Sequence, residues 1–145
     1  MNLDVSPLEK AIGQLEKSLS FYNSEMAEEN FDLKLQFRTA VIKGFEFTYE
    51  LAVKMIKRQL GLIVANPTEL NEMTFMDLMR TAQEAGLIRE APTYKLYRDK
   101  RNMTSHTYEE DKALEVLSIV DPFLQDMRFV LNELKRRNRG SNEAN

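Results

Sequence analysis

From Asn30 to Gly61 the chain carries apolar residues on two seams at once, and this constrains its fold more than any other feature. Steps of three and four connect Leu33, Phe37, Val41, Gly44, Thr48, Leu51 and Met55. Leu35, Ile42, Phe45, Tyr49, Val53, Ile56 and Leu60 form a second seam. A helix with one apolar stripe lies on a surface, whereas one with two is covered on both sides. The spacing predicts a long central helix that opens near Asn30 and closes at Gly61, a residue suited to the left-handed turn after a helix.

The other elements also have helical periods. Ser6 and Pro7 form a start signal, Ser as a cap and Pro at the first helical position. Leu8, Ile12, Leu15, Leu19 and Tyr22 then form one stripe, giving a helix from about Pro7 to Asn23. After a connector marked by Asn66-Pro67, Thr74 caps a short helix with Asp77 three residues on. Phe75, Leu78, Met79 and Ala82 form its buried face, and Gly86 ends it. Pro92 opens a helix carrying Tyr94, Leu96 and Tyr97. A last stretch begins near Glu109, with Leu114, Leu117, Ile119 and Val120 inward. It is expected to kink or break briefly at Asp121-Pro122, where proline removes a backbone donor. No segment alternates with a strand's period of two. The expected fold class is all-α, an up-and-down helical bundle of about five helices. It forms a single domain over residues 1–145, with a flexible tail over about 136–145.

Composition excludes several functions. With 20 Lys+Arg against 23 Asp+Glu the net charge is -3, so any nucleic-acid contact must come from a local patch. Cys is absent and there is one His, which removes thiolate chemistry and multi-histidine metal centres. No apolar run approaches the roughly 20 residues of a membrane span. The N-terminal residues lack a basic region followed by an apolar one, so no signal peptide is expected and a cytoplasmic location is. There is no Gly-rich phosphate loop and no Gly-x-Ser-x-Gly elbow. Asp-x-Asp, which would hold magnesium at a nucleotide, occurs nowhere, so the chain is not expected to transfer a nucleotide by itself.

Three clusters remain. Glu46 and Glu50 sit four apart on the long helix and face the same way, either as a paired-carboxylate site or, the ordinary reading, as a stripe in which Glu50 pairs with Lys54. Met73, Met76 and Met79 recur at a helical step and suit core packing better than a docking surface. The third cluster is the segment Arg98-Asp99-Lys100-Arg101-Asn102-Met103-Thr104-Ser105-His106-Thr107-Tyr108. Lys95, Arg98, Lys100 and Arg101 stand there against Asp99 alone. On a continuous helix Arg98, Asn102 and His106 form one row, while Arg101 and His106 lie about 140° apart. Those two share a face only if the helix ends between them or a two-fold partner completes the site. The residue types suit RNA cleavage. A neutral His takes the proton of a ribose 2′-hydroxyl, Arg stabilises charge on the phosphate, and Asn102 and Ser105 add hydrogen bonds. On spacing alone the ordinary reading, a surface histidine beside a solvated charge run, is the stronger one.

The segment Arg101-x4-His106-x-Tyr108 resembles the Arg-x4–6-His motif of HEPN domains. The run from Arg101 to Tyr108 is similar to the HepT-like branch, also known as the nucleotidyltransferase substrate-binding protein family. Phe45-Glu46-Phe47-Thr48-Tyr49-Glu50-Leu51 and Ala85-Gly86-Leu87-Ile88 resemble two further signatures of that family, in the same order. The resemblance covers residues 5 to 135 and implies a homodimeric helical bundle with the two motifs facing one cleft. It implies a partner, a separately encoded minimal nucleotidyltransferase, which would use Mg and ATP, with no cofactor on this chain. It assigns Arg101 and His106 as catalytic residues of a metal-independent ribonuclease toxin with RNA as substrate, Asn102 as a polar neighbour, and Tyr108 as the site where the partner adds AMP. Arg98 and Lys100 are added from charge and spacing as RNA-backbone contacts. The alternative the family allows is a non-catalytic subunit that presents substrate or nucleotide to the partner.

Overall fold

The computed structural model describes the backbone of residues 2–144 and the side chains of residues 2–139. The described residues form seven α-helices: α1 Ser6–Tyr22, α2 Glu25–Glu29, α3 Phe31–Gly61, α4 Phe75–Glu84, α5 Ala91–Met103, α6 Glu110–Ser118 and α7 Val120–Ala144. Two 3-10 turns, Pro67–Glu72 and Thr104–His106, complete the all-α bundle, and no strand occurs among the described residues. None of the described helices is long and apolar enough to cross a membrane.

α3 is central, as its two seams require. Asn30 opens it, its side chain accepting the Leu33 N–H at 3.1 Å. α1 packs along it closely: a Cβ on Gly44 would stand 3.1 Å from Leu15 Cδ1, so glycine sets that approach. One turn on, the buried Thr48 hydroxyl donates to the Ala11 carbonyl at 3.4 Å. On the other side, Phe45 meets Phe123 of α7 edge-on at 4.7 Å, and Phe123 meets Tyr97 of α5 at 5.2 Å. These three rings are fully buried and join three helices. Truncating one ring in such a core costs about 3–5 kcal/mol.

Most polar groups inside the bundle are paired, the buried Tyr94 hydroxyl being the exception among the described residues. Asp126 accepts from Arg89 Nε and Nη2 at 3.0 and 2.6 Å and from the Tyr97 hydroxyl. Asn138 donates to Gln59 at 2.9 Å and accepts the Leu3 N–H at 2.9 Å, tying the N-terminal segment to the end of α7. Asn138 is buried, so the helix is still anchored where the basic stretch suggests a tail. From Gly140 onward, the side chains of that expected tail lie outside the described residues.

Several local expectations are corrected. Ser6 lies inside α1 and caps nothing; the Asp4 carboxylate instead accepts its N–H at 3.0 Å and its hydroxyl at 2.6 Å. Ser24 caps an additional short helix, α2, between the two predicted ones. Gly61 stays helical. The left-handed glycine is Gly86, with φ 78°, where the Leu87 N–H reaches back to the Ala82 carbonyl at 2.9 Å. The expected break in the last helical stretch is present but falls at Ile119, ahead of the proline. Pro122 then falls in the first turn of α7, where its missing donor has no partner to lose. Thr74 does cap α4, accepting the Asp77 N–H at 3.1 Å.

Candidate functional site

The motif sits where α5 ends. Arg101 is in its last turn, His106 closes the 3-10 turn that follows, and Tyr108 lies just beyond. The backbone leaves the α-helix at Met103, so the helix ends between Arg101 and His106, one of the two conditions named for their sharing a face. Two threonines write that end. The Thr104 hydroxyl lies 2.7 Å from the Arg101 carbonyl, and the Thr107 hydroxyl donates to the Thr104 carbonyl at 3.1 Å. The Arg101 carbonyl also accepts the Thr104 backbone N–H, so the Thr104 side chain reinforces the backbone bond that closes the helix. The same break undoes the predicted row of Arg98, Asn102 and His106, because His106 no longer follows the α-helical period.

α3 holds the motif through two carboxylates one turn apart. Glu50 accepts from Arg101 Nε at 3.0 Å and from Arg101 Nη2. Glu46 Oε2 lies 2.8 Å from the Thr104 hydroxyl. A hydroxyl has one proton, so Thr104 shares it between Glu46 and the Arg101 carbonyl. Sequence reasoning assigned Glu50 to Lys54; its partner is Arg101, 51 residues away in the chain, and that pairing left no local signal. The hydrogen bond that Arg101 donates to Glu50 holds the guanidinium above its ordinary pKa, so it stays charged. Beneath it, burial pushes the Tyr49 phenol up to about 12, although Arg98 and Arg101 pull it down.

The remaining predicted residues divide into three groups. His106 and Tyr108 are exposed, Tyr108 at 81%, with ring centroids 6.2 Å apart and planes at 63°. Asn102 and Ser105 are exposed as well; the Ser105 hydroxyl donates to the Asn102 carbonyl at 3.4 Å, so Ser105 braces the turn. Arg98 and Lys100 are drawn to other partners. The Arg98 guanidinium stands 4.9 Å from the Phe75 ring centroid, and Lys100, largely covered, is 3.9 Å from Glu115 of α6. Beside Thr104 a small cleft of about 90 Å³ is lined by Arg38, Lys43, Glu46 and Thr107, with Arg38 donating to Glu110 at 2.9 Å. The methionines follow the ordinary reading: Met79 is in the core, and Met73 and Met76 pack against it. No cluster of metal-ligating side chains occurs among the described residues.

An all-α bundle that presents an Arg-x4-His-x-Tyr segment at a helix end, braced by two glutamates of its central helix, defines a HEPN-like helical domain. Residues 3–136 match the family described as "Nucleotidyltransferase substrate binding protein like", and the chain belongs to that family. A curated relative, "Probable ribonuclease HepT" of Haemophilus influenzae, is 43% identical over 97 residues, which span 67% of this chain and 66% of the relative. A solved structure from Haemophilus influenzae, described as revealing the fold of a substrate binding domain of a nucleotidyltransferase, superposes with a TM-score of 0.87. That match has 33% identity and covers 91% of this chain and 99% of the other.

Proposed function

We propose that the chain is a metal-independent ribonuclease toxin, working as a homodimer and neutralised by a minimal nucleotidyltransferase that transfers AMP to Tyr108. One observation carries this reading. Arg101, fixed by Glu50, and the exposed pair His106 and Tyr108 flank the same helix end. In the reaction, His106 takes the proton of a ribose 2′-hydroxyl and the freed 2′-oxygen attacks the adjacent phosphorus. The 5′-oxygen of the next nucleotide leaves and gains a proton from water. A 2′,3′-cyclic phosphate and a 5′-hydroxyl result, and Arg101 stabilises the added charge on the phosphate. AMP on Tyr108 forms when the phenol oxygen attacks the α-phosphorus of ATP, releasing pyrophosphate and a proton. The adduct places bulk and negative charge two residues from His106, which repels and blocks RNA.

The test is cleavage of total cellular RNA by the purified chain beside Arg101→Ala and His106→Ala. Wild type should cut and both variants should lose at least a hundredfold in rate, the scale of losing one transition-state donor or a general base. Equal cutting by all three refutes the reading. Mass spectrometry after incubation with the nucleotidyltransferase and ATP should find AMP on Tyr108 and none on Tyr108→Phe. The second reading, a non-catalytic subunit presenting substrate to the nucleotidyltransferase, draws on the ion pair that already engages Arg101 within the chain. Calorimetry of the assembled complex with nucleotides, compared across variants of this chain, tests it; binding that no variant changes refutes it.

A further inference from the structure

The exposed face of α3 continues past the motif and becomes cationic. At 100° per residue Glu50, Lys54, Lys57 and Gly61 share one strip of the helix, with Arg58 on its flank. Lys54 lies about 6 Å along the axis from Glu50, and Lys57 about 10 Å. Glu50 is the carboxylate that holds Arg101, so these distances are measured from the arginine end of the proposed reaction centre. Among the described residues Lys54, Lys57 and Arg58 enter no ion pair. Elsewhere in this acidic protein Arg38, Arg89, Arg101 and Arg128 are all engaged by carboxylates. The two acids on this face, Glu46 and Glu50, already hold Thr104 and Arg101, leaving the strip net positive. Favourable interaction with the helix dipole accounts for a cation in the last turn, but not for Lys54, nearly two turns earlier.

These cations rim a cleft. Lys54, Lys57 and Arg58 stand on the α3 side, and Pro67 and Leu70 of the 3-10 turn stand opposite. The cleft measures about 290 Å³ and is open beside Gly61, where an added Cβ would meet only Leu70 Cδ1, at 4.0 Å. Cations beside an apolar floor suit a nucleotide, with phosphate on the rim and base on the floor. We propose that Lys54, Lys57 and Arg58 form a nucleotide subsite that holds single-stranded RNA next to the bond cut at Arg101 and His106. The proposal rests on the ribonuclease reading and adds a binding element outside the catalytic pair. It explains how a chain of net charge -3 holds a polyanion: the charge is concentrated along one helix strip.

The experiment separates binding from cutting. Binding of a fluorescent single-stranded RNA of about ten nucleotides, within the span such sites hold, is measured by anisotropy on the His106→Ala chain across a salt series. The same background then carries Lys54→Glu, Lys57→Glu and Arg58→Glu together. A control carries Lys10→Glu, Lys17→Glu and Arg139→Glu, an equal charge change at exposed positions elsewhere. Each lost phosphate contact removes about 0.7 from the slope of log affinity against log salt. The patch variant should therefore lose about 2 from that slope and bind at least tenfold more weakly at low salt. The control should keep the slope, and all three proteins should melt within a few degrees of one another. Equal effects of patch and control, or no RNA binding by the His106→Ala chain, overturn the subsite. Loss of binding to the nucleotidyltransferase with RNA affinity intact also overturns it, because the patch would then be a protein-docking surface. Failure of His106→Ala to reduce cutting by the otherwise wild-type chain would instead count against the ribonuclease reading, so the two failures are distinguishable.

Discussion

Replacing Glu50 with Gln isolates what the α3 carboxylate does for the motif. Gln keeps the length and one acceptor but removes the charge, so the contact with Arg101 Nε survives while its electrostatic part is lost. Both partners are partly exposed, Arg101 at 32% and Glu50 at 51%, and exposed ion pairs contribute about 0–1 kcal/mol. The melting temperature should thus fall by no more than about 3 °C for a chain of this size. The kinetic effect should be larger and split. Glu50 competes with phosphate for the guanidinium, so its neutralisation should lower KM. It also fixes where the guanidinium points, and misplacement of a catalytic group by about 1 Å costs up to a hundredfold. We expect kcat for RNA cleavage to drop about tenfold or more while KM stays equal or falls. Steady-state cleavage of a defined oligonucleotide measures both constants. In the Arg101→Ala background, Glu50→Gln should then change nothing further, because the residue it acts through is gone. An unchanged kcat, or additive losses in the double variant, would refute the positioning role; a large melting shift would make the role structural.

Three other outcomes are expected. Tyr94→Phe should stabilise the fold by about 1 kcal/mol, read as a raised denaturant midpoint, because the buried Tyr94 hydroxyl has no hydrogen-bond partner among the described residues and burial without one is costly; a loss of stability would show an unseen partner. Stability should decline in alkali. Burial holds the phenols of Tyr49, Tyr94 and Tyr97 above their ordinary 10, Tyr49 at about 12, so the unfolded chain loses those protons first. The contribution is complete below pH 10 and lost as pH rises through 12, and denaturant midpoints across that range should fall less steeply in Tyr49→Phe. Gly44→Val should cost about 1–3 kcal/mol by pushing Leu15 off α3, measured by thermal melting, and no change would show that the two helices are not held at contact distance there.

How much of this was legible in the sequence depended on whether the signal was local. The two seams of α3 gave its length and its central place, because periodicity is a property of consecutive residues. Leu114 shows where that logic stops. The stripe drawn through it assumes one helical phase up to Asp121, but the break at Ile119 resets the phase. Ala113 and Val116 take the buried face of α6, while Leu114 is exposed. Gly61 and Gly86 were equally plausible terminators by residue type, and only the backbone around Gly86 required a positive φ. In the site, the residue types of Arg101, His106 and Tyr108 came from the motif. The partnership of Glu50 with Arg101 did not, because it joins two helices across 51 residues and Lys54 offered a nearer cation.

The geometry of the site follows from two spacings that match. On α3, Glu46 and Glu50 are four residues apart and so sit one above the other, about 6 Å along the axis. On the facing segment, Arg101 and Thr104 are three residues apart, which brings them to the same side of a helical turn. Each glutamate therefore meets one partner, and the end of α5 is clamped at two points rather than one. A single contact would let that end rotate about its axis; two contacts fix both its rotation and its height against α3. The clamp grips Arg101 before and Thr104 just after the backbone departs from α-helical geometry, and so it sets the direction in which His106 and Tyr108 emerge. Had α5 continued unbroken, Glu50 would still hold Arg101, and His106 would be carried about 140° away around the helix. The hydroxyl of Thr104 joins both functions, since it touches Glu46 and the Arg101 carbonyl together: it anchors the clamp and ends the helix. The arginine and histidine of the motif are thus related through a threonine between them that neither chemistry nor charge would single out.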